Sequence, residues 1–586
     1  MPAHHNKPQQ RVCSRNRLQR RPAVARFVLL LAAASVTAAT AQDRRDALEA
    51  LERERLQALR DTQARSTPQW QPSAGVLAWL PPVDGETPCF AVQRITWASD
   101  TPLLTPNRGD SFDWLLQDLG TFVGACLGPQ SLDALRRNLD ARLVSRGNVT
   151  SSVSFAPQNL ASGVLQVSLQ LGRIARIDLR GAANAISGNA LATQPGDVLN
   201  LRAIEQTLDN LARLPSQAAQ FQIEAADQAD HSVVAITAEP LRAWRLSAGL
   251  DNAAPHDYGQ LQATLQATWD APLGLSDQVA VVLNRTLHTA QGARYQDAAT
   301  LSYSMPFGWH LLSVSASRSR HVRPIQGLTT RFSENGFDAS VQLRWQWTAW
   351  RSASARWNMW VGATARRSRN AVDDVELVLQ RRHTRDADWG INGWLRFAAG
   401  DLTVDMDAAV AQRVGADADV QLAQPLLPHT RRVQLTWQQA VAHNLHYETR
   451  LAWAAVHDPA SAVDLQTVGS RWSVRGFDAQ DFLTGQAQVT WRQDLRLSGL
   501  TAAWLPAVQL QPYLGLDHGR ITAAMAAGAS GPPARQPGHV LAGAAAGLRW
   551  AGHGLSGDLA LAAPLHKPSG FAAASTVLYA SVAFNY

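Results

Sequence analysis

The chain has 586 residues, 46% of them hydrophobic and 17% charged, too many for one hydrophobic core, so several units are expected. The formal net charge is +7, but Lys7, Arg11, Arg15, Arg17, Arg20, Arg21 and Arg26 place seven positive charges in residues 1–41 without one acid. The remainder is therefore near neutral, which removes the case for a nucleic-acid partner, and no later stretch of about 20 apolar residues exists to make a transmembrane helix.

Residues 1–41 read as a signal peptide: a basic segment ends at Arg26, a short apolar run spans Phe27 to Val36, and Ala39-Thr40-Ala41 forms a small-residue cleavage site. Residues 43–62 are strong helix formers without Gly or Pro, with Leu48, Leu51, Leu56 and Leu59 as a partial stripe among dense charges. A solvated helix and a disordered charged segment both fit that pattern. Residues 63–86 hold several prolines and read as a linker. Cleavage of the leader removes Cys13 and leaves Cys89 and Cys126. In an oxidising compartment two cysteines favour a disulfide over two free buried thiols. They are too few for a zinc site, and no Cys/His cluster lies nearby.

Residues 87–171 predict a small α/β unit. Phe90–Trp97 alternates as a strand, Asp113–Val123 reads as helical, and Pro129 opens a second helix whose Leu132, Leu135, Leu139 and Leu143 share one face. Gly147 ends that helix. Strands follow near Val153–Phe155 and Gly163–Leu169. Residues 172–240 repeat the plan: a strand over Ile174–Leu179, a helix carrying Leu201, Ile204, Leu208, Leu211 and Leu214, and strands at Phe221–Ile223 and Val233–Ile236.

From about residue 241 to 586 the texture changes, and segments such as Gln260–Trp269 and Phe337–Trp347 alternate strictly. Leu261, Ala263, Leu265, Ala267 and Trp269 share one face, as do Phe337, Ala339, Val341, Leu343, Trp345 and Trp347. Such segments suit tilted strands that cross a bilayer. Tryptophans fall at segment ends (Trp244, Trp269, Trp309, Trp347, Trp350), as girdle residues would. Backbone groups in lipid must be paired, so the sheet must close on itself. The last segment places Leu578, Ala580, Val582, Phe584 and Tyr586 on one face, and its terminal aromatics resemble the recognition signal of outer-membrane barrels.

Short motifs in fixed order carry a family resemblance. Pro88-Cys89-Phe90, Ala125-Cys126-Leu127-Gly128 and Arg146-Gly147 lie in the first unit; Gly172-Arg173-Ile174 and Leu199-Asn200-Leu201-Arg202 lie in the second. Asp251-Asn252, Pro272-Leu273-Gly274-Leu275-Ser276-Asp277, Val474-Arg475-Gly476-Phe477 and Pro512-Tyr513-Leu514-Gly515-Leu516-Asp517 follow. Together they resemble the TpsB family of two-partner secretion transporters, of the haemolysin secretion/activation type. The resemblance implies two POTRA domains (87–171 and 172–240) in the periplasm and an outer-membrane antiparallel β-barrel of about 16 strands (241–586). It also implies a plug helix at 43–62 and a sixth extracellular loop folded into the lumen. Its partners would be a secreted TpsA-type exoprotein, outer-membrane lipid and, during biogenesis, the barrel-assembly machinery. Two departures stand out. Tyr586 replaces the usual terminal Phe, and Ala-Ala-Pro-His follows Asp251-Asn252, so the first extracellular loop is expected to differ.

Within that frame Arg475 is expected to need a buried partner. Asp517 shares a face with Tyr513 and Gly515, opposite Leu514 and Leu516, and supplies one if the leucines meet lipid. An exposed loop arginine is the alternative. No G-x-x-x-x-G-K-[ST] or H-E-x-x-H motif occurs, so neither an enzyme nor a cofactor is expected. A barrel-assembly factor of the same superfamily and a passive porin are the competing functions; the porin would have no need of residues 87–240.

Overall fold

A computed structural model describes residues 79–98, 112–181, 186–239, 241–254, 258–287, 294–326, 330–378, 381–413, 429–457, 465–478, 481–502, 505–522 and 539–586. The expected signal peptide and the charged segment at 43–62 lie outside the described residues.

The first unit is built on helix α1, Pro129–Ser145, with proline at the first helical position, where its missing N–H costs nothing. Leu135, Leu139 and Leu143 are fully buried against a sheet ordered Arg94–Trp97, Val164–Gln170, Ser152–Ser154. Two expectations are corrected here. The strand expected over Phe90–Trp97 is two: Phe90–Ala91 pairs with Cys126–Leu127, while Arg94–Trp97 runs parallel to Val164–Gln170. Between them Val92 turns wholly into the core. The helix expected over 113–123 is a single 3-10 turn, Asp113–Leu116. Leu115, Leu119 and Phe122 are buried as a helical face would be, but Asp118 adopts φ 58, which breaks the turn.

Residues before the first strand pack onto α1. Asn138 exchanges two hydrogen bonds with the backbone of Leu80, at 3.0 and 2.8 Å. The Glu86 carboxylate accepts from the backbone N–H groups of Gly128, Gln130 and Ser131, at 3.1, 2.6 and 3.0 Å. That position at a helix N-terminus suits an anion.

The second unit centres on helix α2, Leu201–Ala212, capped by the Asn200 side chain, which accepts from Arg202 N. Its sheet is ordered Arg173–Gly181, His231–Ala238, Ala219–Ala225. Ile174, Ile204, Leu211, Val234 and Ile236 form the core. Leu201 N donates to Gly147 O at 2.8 Å, tying α2 to the end of α1.

Sixteen long antiparallel strands follow, from Trp244–Asp251 to Val577–Asn585, and close into a barrel; Val375–Glu376 and Leu500–Ala502 add short pairings to it. Leu265, Leu301, Val341, Leu343 and Leu514 are exposed on the outer face, whereas polar Thr436, Thr490 and Asp517 are buried. Strands run to 21 residues, Arg331–Arg351 being the longest. That is more than the roughly nine to eleven residues a tilted strand needs to cross a bilayer, because pairing continues past the apolar band with polar residues. Trp244, Trp269 and Trp350 are exposed at the end nearest the soluble units, as a girdle requires. Trp309 differs: its indole N–H donates to Ala192 O in the second unit.

The second unit is clamped to the barrel. Arg351, on the barrel, donates from Nη1 to Asp209 Oδ2 (2.6 Å) and from Nε to Glu205 Oε2 (3.1 Å), both on α2. Asn210 Nδ2 donates to Gly308 O at 2.7 Å. Asp270 accepts a forked pair from Arg245 (2.6 and 2.8 Å) and also holds Ser216 N and Oγ.

Candidate functional site

Between strands Leu445–His457 and Ala487–Leu497, residues 465–478 and 481–485 lie inside the barrel, with a short hairpin, Gln466–Val468 paired with Leu483–Gly485, and Val474-Arg475-Gly476-Phe477 between its arms. Two kinds of contact hold that tetrapeptide. Val474 and Phe477, 0% and 1% exposed, belong to an apolar cluster with Val468, Ile521, Leu541 and Phe571. Phe477 meets Phe571 edge-on at 5.6 Å between ring centroids.

The second contact is ionic. Asp517, on strand Leu505–Thr522, is 1% exposed. It accepts from Arg475 Nε at 2.7 Å, from Nη2 at 2.6 Å and from the Arg475 backbone N–H at 2.8 Å. A forked guanidinium–carboxylate pair fixes orientation as well as distance. Leu514 and Leu516, on the other face of the strand, are 63% and 49% exposed, so Asp517 points inward.

The alternation in strand Ala487–Leu497 could have revealed a second carboxylate. Trp491 and Leu495 face out, so Arg492 and Asp494 face in beside Asp517 and Gly515. Asp494 Oδ1 lies 2.6 Å from Arg475 Nη2, making Arg475 the shared cation of two acids. Arg492 holds the loop from the wall by donating to Arg471 O and Trp472 O at 3.2 and 2.6 Å. Tyr579, on the last strand, accepts from Gly476 N at 3.0 Å and donates to Phe477 O at 2.8 Å. A lone tyrosine in an alternating strand gives no sequence signal for that role.

Gly476 needs to be glycine for two reasons. Its φ is 101, and a Cβ would sit 2.6 Å from the Ala563 carbonyl. Gly515 and Gly543 on the wall make room for Arg475: a Cβ on the first would strike its guanidinium, on the second its carbonyl. Among the described residues no group of three His, Cys, Asp or Glu is arranged to hold a metal.

The other singled-out residues lie elsewhere. Cys89 and Cys126 are joined by a disulfide across a sequence separation of 37. Phe584 and Tyr586 are exposed on the outer face. Tyr586 packs on Trp244, with ring centroids 5.5 Å apart, at the seam between last and first strands. That seam pairs Ser247–Asp251 with Ser581–Asn585, and Leu246 and Tyr586 exchange backbone hydrogen bonds at its end, at 3.2 and 2.8 Å. Asn252 reinforces it, donating to Leu578 O at 2.7 Å and accepting from Ala580 N at 2.9 Å.

Comparison with known proteins adds that residues 230–550 match the model of the haemolysin secretion/activation proteins ShlB/FhaC/HecB, more than half of the chain. The chain belongs to that family. Residues 107–172 match the ShlB-type POTRA domain and residues 173–225 a second POTRA domain. The outer membrane transporter CdiB-2 of Burkholderia pseudomallei is 28% identical over 84% of this chain and 85% of its own. The hemolysin transporter protein ShlB of Serratia marcescens is 27% identical over 68% and 71%. The structure of CdiB from Escherichia coli superimposes with a TM-score of 0.77 at 24% identity, covering 93% of this chain and 99% of that one. The family and fold make the chain a two-partner secretion transporter of the outer membrane, with its POTRA domains in the periplasm.

Proposed function

We propose that this transporter accepts an unfolded TpsA-type exoprotein in the periplasm and passes it through the barrel to the cell surface, and that the Arg475–Asp517 lock holds the lumenal loop in the position export requires. The observation that carries this reading is the loop itself. A buried, doubly paired arginine suits a wall part that must stay fixed while a chain slides past. We assign residues 87–171 and 172–240 to the two client-binding units and 241–586 to the pore. The strands Ser152–Ser154 and Ala219–Ala225, at the edges of their sheets among the described residues, are where an extended client would add a strand, a mode that tolerates any sequence. The 43–62 segment is assigned as a removable plug, and Phe584 and Tyr586 as the signal read by the assembly machinery. The client is a cytolysin, an adhesin or a contact-dependent toxin.

The test uses proteoliposomes containing the full chain and a urea-denatured TpsA-type exoprotein. Transport predicts time-dependent protection of the client from external protease. Protection no greater than in empty liposomes overturns the reading.

A further inference from the structure

The outer wall of the barrel carries a basic surface that neither the lock nor the periplasmic clamp uses. In a bilayer-crossing strand, charges on the lipid side are costly at mid-depth and tolerated near the interfaces. Here exposed arginines gather on one sector, on the same outward parity as Leu301, Val341 and Val361. The pairing register aligns them in two rows. Arg318 is paired across from Ala339, and Ala339 from Arg367. One step further out Arg320 is paired across from Phe337, and Phe337 from Arg369. Arg385, opposite Ala365 on the next strand, extends the patch.

The height of the rows follows from strand geometry. Arg318 and Arg320 lie eight and ten residues beyond His310, which follows the turn that touches the second POTRA domain. At roughly 3.4 Å per residue and a tilt near 40°, that is about 20–26 Å along the membrane normal. The apolar band of such barrels is about 25 Å tall, so Arg320 stands at the headgroups of the outer leaflet and Arg318 about 5 Å below them, within the reach of its own side chain. Among the described residues, no carboxylate pairs with Arg318, Arg320, Arg367 or Arg385 within salt-bridge distance, and Asp297 meets only Arg285, at 3.5 Å.

A groove of about 740 Å³ lies on this same wall. Its floor is made of small side chains, Ala299, Ala316, Ala339 and Ala365, and Arg318, Arg367 and Arg385 stand along it. Leu301 and Val341 continue it toward mid-membrane. The alanines leave an indentation the width of several strands, where larger residues would have made a smooth wall. An apolar trough that ends under a set of guanidiniums matches a molecule with acyl chains and more than one phosphate.

We propose that this sector binds a phosphorylated, multiply acylated glycolipid of the lipid A type from the outer leaflet, with acyl chain in the alanine-floored groove and phosphates on Arg318, Arg367 and Arg385. Guanidinium forks suit phosphate oxygens, and long arginine stems reach from the apolar boundary to the headgroup level. Charge complementarity and the position on the outer half of the barrel select this lipid over an inner-leaflet phospholipid. The role is in holding the barrel in its membrane, separate from the route the client takes.

The test is native mass spectrometry of the full-length protein in detergent, with added bis-phosphorylated lipid A, its dephosphorylated form, or phosphatidylglycerol. The expected result is retention of lipid A, with the dephosphorylated form and the Arg318→Ala/Arg367→Ala/Arg385→Ala protein each at least about tenfold weaker. Ala339→Trp, which fills the groove and keeps every arginine, should weaken binding similarly. It decides the matter if the triple variant fails to show the heat-dependent gel mobility of a folded barrel. Arg431→Ala/Arg520→Ala, on other strands, should leave binding unchanged. The proposal is overturned if the folded triple variant or Ala339→Trp retains lipid A within about twofold of the native protein. Phosphatidylglycerol binding as tightly as lipid A, or an equal loss from the Arg431/Arg520 pair, also overturns it.

Discussion

Gly515 faces Arg475, and the guanidinium occupies the space that any side chain at position 515 would need. The lock is therefore a three-part fit: a carboxylate at Asp517, a cation on the loop, and an empty wall position two residues away on the same face. Close packing of this kind turns an ion pair into a positional constraint, since the guanidinium has one place to lie.

Replacing Gly515 by valine should push the guanidinium off Asp517 while both charges remain. Overpacking costs about 1–3 kcal/mol, well short of unfolding a barrel. Export should fall severalfold with the barrel still inserted, and single-channel recordings should show greater or noisier conductance as the loop loosens. Gly120→Ala, which meets open space, should leave both readouts unchanged.

The clamp between α2 and the barrel rests on Arg351 and Asp209, whose side chains are only 11% and 13% exposed. Arg351→Ala leaves Asp209 with Arg356, at 2.5 Å, as its remaining barrel partner, so the loss should be partial. A double-mutant cycle with Asp209→Ala should give a coupling of about 0.5–3 kcal/mol. Limited trypsinolysis at exposed Arg242, between the second POTRA domain and the barrel, should be faster in each variant.

Acid should weaken the first POTRA domain through Glu86. Burial raises the pKa of this carboxyl, but the Ser131 hydroxyl and the N–H groups of Gln130, Ser131 and Gly128 outweigh it and hold it below its ordinary value of 4.5. The folded state thus binds the proton less tightly than the unfolded chain. The stabilisation is complete above pH 4.5 and is lost as the pH falls through the depressed folded value. Protease resistance of this domain in the native protein should decline over that window toward the level of Glu86→Gln, which should show no such step.

Removing the Cys89–Cys126 bond frees a loop spanning 37 residues of sequence separation. Loop-closure entropy puts the loss at roughly 4 kcal/mol. The Cys89→Ser/Cys126→Ser protein should lose protease resistance in the first POTRA domain at lower temperature, with the barrel's heat-dependent gel mobility unaltered.

Much of the lock was legible before any coordinates, because a strand has a period of two. Leu514 and Leu516 fix the parity of Asp517, and the same rule applied to Trp491 and Leu495 yields Asp494. What strand period cannot supply is partnership across distance. Arg351 and Asp209 are 142 residues apart in sequence, and each alone looks like an ordinary surface charge. Trp309 misled for a related reason: its place at a segment end suits a lipid girdle, but the second POTRA domain covers that turn. At 113–123 the helical spacing of Leu115, Leu119 and Phe122 was real, yet the buried face is formed by an irregular turn. A left-handed Asp118 accommodates what propensity alone had not foreseen.

The most direct measurement of the central claim is export by Asp517→Asn, compared with its outer-membrane level in the same cells. This change keeps the side chain's shape and strips the carboxylate that takes Arg475's forked pair, leaving Asp494 as its remaining acid; the cost is therefore below the roughly 3–5 kcal/mol of a wholly broken buried pair. A normal amount of heat-modifiable barrel with client at the surface reduced about tenfold or more is the predicted result. Undiminished client at the surface, with the barrel equally abundant, would contradict it.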